Sequence, residues 1–380
     1  MAGTKKLWTG VLLATVLLAG ACTSTPSPAP PASAPAPASS STKAPDNGFT
    51  VVAAGDILIH PALTDQATAD AQAGGGGALD YRPILAGLKP IISQADLAIC
   101  HLETPLAPEG GPYSGYPSFS APPEIADALK DTGYDTCSTA SNHTLDQGAA
   151  GITRTLDKLD AVGIKHTGSA RSAPEAATPN ILDVHGVKVA QLSYAFGFNG
   201  IKVPSGKPWL ANLIDGNKII AAAKAARAAG AEVVIVSLHW GIEYQHDVTP
   251  DQSALAKKLL ADPSIDLIVG HHAHVVQPIE KIGDKWVAYG MGNQIARHDE
   301  PKGDTEEGII TRFHFAKTAG GWKVDKAEYL PTLIQLGPPI RLIDLTYGTP
   351  GARGQEALTA TDKIVLSRGA AADGLTRPGS

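Results

Sequence analysis

The sequence predicts a layered α/β fold, and three observations carry the prediction. Short apolar runs of strand length alternate with stretches of helical spacing along the chain. Most of these runs end directly in Asp, Glu, Asn or His, at the place where open α/β sheets bind ligands. From about Gly48 onward no second linker interrupts the 380-residue chain before its tail, so residues 48–345 read as one domain.

The first apolar run, 49–54, reads as a strand that delivers Gly55-Asp56, and the next, 96–100, delivers His101-Leu102-Glu103. Residues 123–132 have helical spacing and stop at Gly133. A third strand over 134–139 leads into Asn142-His143, and a helix over 148–162 closes at Gly163 before the short run 165–168. Strands at 188–193 and 232–238 follow, the second running into His239-Trp240-Gly241, with helices at 216–229 and 250–261 on either side of it. The apolar segment 266–270 delivers His271-His272-Ala273-His274, and 286–289 leads to Gly292-Asn293. Runs at 311–315, 322–329 and 332–335 are expected to pair at the sheet edge. Residues 346–380, rich in Gly, Ala and Thr, are expected to form a loosely attached tail. The four glycines 74–77 lack the strand-then-helix context of a phosphate cradle and read as a flexible loop.

The N-terminus carries Lys5-Lys6, an apolar run over 7–18 and the small residues Ala19-Gly20-Ala21 before Cys22. This pattern resembles a bacterial lipoprotein signal over 1–22, cut before Cys22, whose lipidation would anchor the chain on the outer face of a membrane. Ala19 stands where such signals usually have a large aliphatic residue. The alternatives are an ordinary secretory peptide cleaved near Ala21 and an uncleaved anchor. Residues 23–47, almost all Ser, Thr, Pro and Ala at their start, cannot build a core and read as a disordered, semi-rigid tether. Cys100 and Cys137 could pair in an oxidising compartment, but both lie in apolar strand-like runs and are expected as separate small buried side chains. A net charge of −6 without a basic stripe argues against nucleic acid as the partner.

Neutral imidazoles grouped at a strand end suit a divalent ion, and Gly270-His271-His272-Ala273-His274 is such a group. Alternate residues of an extended segment share a face, so His272 and His274 are expected to face the ion site and His271 to face elsewhere, as a structural residue first and, with His60, Glu243 and Asn293, as a further candidate to ligate the metal or orient its ligands. Asp56, Glu103, Asn142-His143, His239 and Asn293 stand at the other strand ends and can converge on the same cleft.

At these residues the chain resembles the CapA family of capsule-synthesis proteins, named for poly-γ-glutamate capsule formation. The matching blocks are Gly55-Asp56, Leu102-Glu103, Ser141-Asn142-His143-Thr144-Leu145-Asp146, His239-Trp240-Gly241-Ile242-Glu243-Tyr244, the histidine block through Gln277, and Gly292-Asn293. The resemblance implies a calcineurin-like metallophosphoesterase sandwich of mixed sheets flanked by helices. It implies that Asp56 binds one metal, that Glu103 bridges two, and that Asn142, His239 and His272 complete the second site while His274 returns to the first. His143 would protonate a leaving group or steady charge. Asp146 would set the His143 tautomer or cap the next helix. In the wider superfamily a histidine follows the first Asp by two residues, where this chain has Leu58; His60 is the nearest candidate to swing in. The first site is therefore expected to be under-supplied. Glu243 is a candidate to orient His239, and Trp240 and Tyr244 either stack on a substrate or pack under a loop.

A bound ion of the Mn, Fe or Zn class, one or two per chain, would support hydrolysis or group transfer. The expected function is a metal-dependent hydrolase or transferase acting on an envelope polymer, with poly-γ-glutamate or a peptidoglycan peptide as substrate and a membrane synthase or export complex as partner. The alternatives are a non-catalytic, lipid-anchored accessory subunit and a plain extracellular metallophosphoesterase.

Overall fold

Alternation along the strands decides the layering. Val51 and Ala53 point to one side and pack with Val233, Ile235, Leu267 and Val269 of a second sheet. Val52 and Ala54 point to the other and pack with Leu63, Ile125, Leu129 and Leu156 of helices. Strands covered on both faces read as continuous apolar runs, which is how they look in the sequence. The computed structural model describes residues 48–298, 303–347 and 350–379. The export signal, Cys22 and the whole of the expected tether lie outside the described residues.

The chain first lays down β1 (Phe49–Ile57), α1 (Pro61–Gly74), α2 (Arg82–Leu85), α3 (Lys89–Ile92), β2 (Leu97–Leu102), α4 (Glu124–Thr132), β3 (Thr136–Ser138), α5 (Gly148–Val162), β4 (Lys165–Thr167) and α6 (Ala173–Ala177). Strands β1 to β4 are parallel neighbours in that order. It then builds the second sheet from β5 (Asn180–Val184), β6 (Val187–Ala195), α7 (Gly216–Ala228), β7 (Val233–His239), α8 (Pro250–Leu260), β8 (Leu267–His271), β9 (Ile279–Ile282) and β10 (Lys285–Ala288). Strands β6, β7, β8 and β10 run parallel, and β5 and β9 close the edges as antiparallel hairpin partners. Finally β11 (Asn293–Ile295), β12 (Glu307–Thr318), β13 (Gly321–Gln335), β14 (Arg341–Asp344), α9 (Ala352–Val365) and β15 (Leu375–Thr376) return to the first sheet. Val234 and Val236 bury the outer face of the second sheet against Ile219, Ala223 and Leu259 of α7 and α8. The result is helix, mixed sheet, mixed sheet, helix.

Helix boundaries follow local chemistry. A full capping box of Thr249 and Gln252 starts α8. Gly133 ends α4 at φ 112°, beside Ser93, where a Cβ would stand 2.9 Å from that residue's Cα.

Four expectations need correction. The C-terminal strands do not simply add to an edge: β12 lies antiparallel against β1, the strand that carries Asp56, and sends Ile309, Phe313 and Phe315 into the core between the sheets. The two runs 322–329 and 332–335 are one strand, with Pro331 opposite Ile309 and its carbonyl accepting the Leu345 N–H at 2.9 Å. The segment after Thr346 is docked, since Ala357 and Leu358 of α9 pack on Leu333 and Leu345, and Val365 and Leu375 join the inter-sheet core. An amphipathic helix needs only a few apolar positions to hold, so a composition poor in them hid it. Cys100 and Cys137, expected as separate thiols, form a disulfide. They face each other directly across β2 and β3 with Cα atoms 4.4 Å apart, a register that the sequence does not display.

Candidate metal centre

The carboxyl ends of β1, β2, β7 and β8 meet where the two sheets abut, and they bring Asp56, His101, His239 and His271 together. Loops leaving β2, β3 and β8 add Glu103, Asn142, His272 and His274, all buried. The structure thus brings together all six residues expected to ligate metal.

His239 Nε2 lies 3.0 Å from Asn142 Oδ1 and 3.9 Å from Glu103 Oε1. His274 Nε2 is 3.7 Å from the same Glu103 oxygen, while its Nδ1 is 3.3 Å from Asp56 Oδ2. Neither Glu103 oxygen has a hydrogen-bond partner, and neither has His272 Nδ1. An unpaired buried carboxylate is costly unless a cation joins it, so this donor set of carboxylate, amide oxygen and imidazoles fits a divalent ion. Among the described residues, four groupings place three ligand atoms each within 4.8 Å of one another: Asp56, Glu103 and His274; His101, Glu103 and His239; Asp56, His101 and His271; and Glu243, His272 and His274.

Protonation follows from burial. Burial pushes Glu103 well above the usual carboxylate range. Asp56 suffers the same desolvation, yet the neighbouring His271 and His274 imidazoles hold it well below that range. Burial works against a charged His274, but Glu103 and Asp56 outweigh it and raise its pKa to about 9. Burial and neighbouring imidazoles depress His101 and His239, and burial takes His272 down to about 3. Those three rings are neutral, the form that ligates metal.

The histidine block does not use strand alternation. Strand β8 stops at His271, and His272 and His274 sit at φ 92° and 56°, in the left-handed region that non-glycine residues rarely adopt. All three imidazoles therefore turn inward. His271, expected to face elsewhere, has Nδ1 3.0 Å from Asp56 Oδ1 and stacks on His101 at 4.0 Å. Gly270 is required beneath them, because a Cβ there would stand 1.9 Å from Tyr289 O and 2.6 Å from Trp240 Nε1. Trp240 is buried, and its Nε1–H donates to Tyr289 O at 2.8 Å, so it packs under the loop. Tyr244, at φ 63°, is exposed at the rim.

The remaining candidates separate by partner. Asn293 uses its amide N–H groups on the carbonyls of His274 and Thr305 at 3.2 and 2.9 Å. Its Oδ1 accepts from His274 Nδ1–H at 3.0 Å, which directs His274 Nε2 to Glu103 and makes Asn293 an orienting residue. His143 Nδ1–H donates to Asp146 Oδ2 at 2.7 Å, and the Phe119 N–H fixes the same oxygen at 2.8 Å. Asp146 therefore holds the His143 tautomer; the helix cap position belongs to Gln147. Glu243 does not orient His239, whose ring nitrogens face His101 and Asn142; it lies with His272 and His274 instead. His60 has not swung in: its Nδ1 accepts from the Arg297 N–H at 3.1 Å, and its ring packs on Phe119 and His298. Leu58 is buried with Phe119 and Ala296.

Two histidines escaped the sequence reading. His101 lies at the heart of the cluster, and its signal was its place at the end of the second apolar run, two residues before Glu103. His298 packs 4.7 Å from His274, with its pKa pushed down to about 2 by burial. At the mouth, the exposed Phe196 ring sits 4.5 Å from His272 and borders a cavity of about 660 Å³ lined also by Trp240, Ile242 and Leu255.

A family model described as "Bacterial capsule synthesis protein PGA_cap" matches residues 50–298. The chain is 29% identical over 224 residues to the capsule biosynthesis protein CapA of Bacillus anthracis, covering 58% of this chain and 53% of that protein. It is 28% identical over 215 residues to a probable polyglutamine synthesis accessory protein of Mycobacterium tuberculosis, covering 53% of this chain and 55% of that one. The chain thus spans about half the length of the curated relatives it matches. Among solved structures it is similar to the calcineurin-like phosphoesterase YfkN of Bacillus subtilis, with 15% identity, a TM-score of 0.45, and coverage of 85% of this chain and 99% of that one.

Proposed function

The chain belongs to the bacterial capsule synthesis family PGA_cap, and from that premise we propose that it is a surface lipoprotein whose domain acts as a metal-dependent hydrolase or transferase on an envelope polymer. The observation that carries the reading is the Glu103 carboxylate, buried without a hydrogen-bond donor among Asp56, Asn142, His239 and His274. Glu103, Asn142, His239 and His272 would hold one divalent ion of the Mn, Fe or Zn class, and Asp56, Glu103 and His274 a second. Such an ion supplies a water of lowered pKa as nucleophile near neutral pH.

The chain's own groups supply the rest. His143, its Nδ1–H held by Asp146, keeps Nε2 for a proton exchanged with a leaving group. Phe196 offers an exposed ring beside His272 for the substrate. Lipidation at Cys22 would place the domain outside the membrane and away from ATP, so trimming, transfer or anchoring of a finished polymer suits it better than ligation. Poly-γ-glutamate or a peptidoglycan peptide is the substrate class, and a membrane synthase or export complex the partner.

A relative named as an accessory protein favours a second reading, a lipid-anchored subunit that performs no reaction. Purified protein, stripped and reloaded with Mn, Fe or Zn, is expected to release new ends from poly-γ-glutamate or peptidoglycan peptides. Full metal loading without turnover of either polymer would leave the accessory reading, and turnover of simple aryl phosphates alone would mark a plain phosphoesterase.

A further inference from the structure

A line of hydrogen bonds runs from the His239 ring back into the first sheet. His239 Nε2 faces Asn142 Oδ1 at 3.0 Å, and its Nδ1 faces His101 Nε2 at 3.0 Å. His101 Nδ1 meets Ser138 Oγ at 2.8 Å, and the Ser138 hydroxyl reaches the Cys100 carbonyl at 3.3 Å. All four side chains are buried, so solvent replaces none of these partners. The strand registers His101↔Ser138 and Cys100↔Cys137 fix the inner end of the line.

One proton each on Ser138, His101 and His239 satisfies this line in two directions. With no ion, His239 Nε2–H donates to Asn142, which has only an acceptor there; His101 Nε2–H then donates to His239 Nδ1, and Ser138 O–H to His101 Nδ1. With an ion, His239 Nε2 must present its lone pair, so His239 Nδ1–H donates to His101 Nε2, His101 Nδ1–H to Ser138 Oγ, and Ser138 O–H to the Cys100 carbonyl. The proton count is the same in both, and no polar atom of the line is stranded at its inner end.

We propose that His101 is the positioning residue of the metal centre, a reversible imidazole that lets His239 change tautomer when an ion binds. Metal ligands usually owe their ring orientation to a carboxylate or a backbone carbonyl on the other nitrogen. Here a second histidine serves, with Ser138 and a backbone carbonyl as the terminus. The inference rests on the metal-centre reading and adds which residue outside the ligand set controls it.

The test measures Zn²⁺ affinity by chelator competition, and the visible absorption of the Co²⁺ form, for the full chain and its variants. His101→Gln keeps an amide oxygen near the Nε2 position and is expected to bind Zn²⁺ close to the parent. His101→Asn reaches only toward Ser138 and is expected to lose about 10- to 100-fold in affinity, with an altered Co²⁺ spectrum. Ser138→Ala is expected to weaken Zn²⁺ in the parent background and to add nothing in His101→Gln. Equal affinities for Gln and Asn, or additive losses with Ser138→Ala, overturn the relay while leaving the metal centre. A parent chain that binds neither ion overturns the metal-centre reading itself. Melting curves of the metal-free variants separate either result from misfolding, and Ser138→Ala carries the test alone if the position 101 variants fail to fold.

Discussion

Glu103 Oε1 and His274 Nε2 stand 3.7 Å apart in a space closed to solvent, and neither oxygen of that carboxylate meets a hydrogen-bond donor. Without an ion the pair can share only a proton. With one, the same groups are ligands, so Glu103 is poorly satisfied in the empty site and well satisfied in the loaded one.

Glu103→Gln is therefore expected to separate binding from folding. The neutral amide removes the burial cost that pushes this carboxyl up, but it also removes the charge that helps raise His274, so the metal-free variant should fold and melt near the metal-free parent. Metal affinity should fall by more than the roughly 10- to 100-fold that losing an outer partner costs. Metal content after dialysis and melting curves with and without chelator read both quantities; unchanged metal affinity would remove Glu103 from the ligand set.

The metal-free protein is expected to lose stability on both sides of neutrality. His274, raised to about 9, stabilises the fold fully below its unfolded value of about 6.5, and that contribution is lost as pH rises through about 9. His101, His239 and His272 are depressed, so the unfolded chain takes up protons that the folded one refuses, and stability falls as pH drops below about 6.5. Melting temperature against pH, in chelator, should show a maximum near pH 6.5, and saturating metal should flatten the alkaline limb because the ion replaces the His274 proton. An alkaline limb that stays steep with metal bound would contradict this account.

Strand ends are legible where an apolar run stops at a polar residue, which is why the sequence alone assigns Asp56, Glu103, Asn142, His239 and Asn293 to one cleft. Side-chain direction beyond a strand end is not. His272 and His274 converge through left-handed backbone that alternation does not describe, and His271 turns in with them. Pairing across strands was equally hidden: the Cys100↔Cys137 register and the His101 to His239 contact depend on which strands are neighbours. Glu243 lies beside His272 and His274 rather than His239, and His60 stays with Phe119 and His298, because both sit on loops whose course is set by packing.

Because Cys100 and Cys137 are opposed on adjacent strands and buried, an exported chain should contain no free thiol there. Thiol titration of the denatured, unreduced protein is expected to find none at these positions. Reduction, or Cys137→Ser, should destabilise the domain by about 2–4 kcal/mol, the usual cost of opening such a loop. Two titratable thiols in protein purified without reductant would count against the bond.

The pair His143 and Asp146 gives the sharpest separation between an enzyme and an accessory subunit. Asp146 Oδ2 takes both the His143 Nδ1–H at 2.7 Å and the Phe119 N–H at 2.8 Å, so it is held on the Nδ1 edge of the ring. If Nε2 passes a proton to a leaving group, His143→Ala should lower kcat by about 10²- to 10⁴-fold, the usual worth of a general acid, while metal content stays at the parent level. Asp146→Asn keeps the side-chain shape but turns an obligate acceptor into a group that can also donate, loosening the tautomer, and should cost less than His143→Ala in kcat. Equal capsule or envelope function in cells carrying His143→Ala, with metal retained and the fold intact, would assign the centre to binding rather than to chemistry.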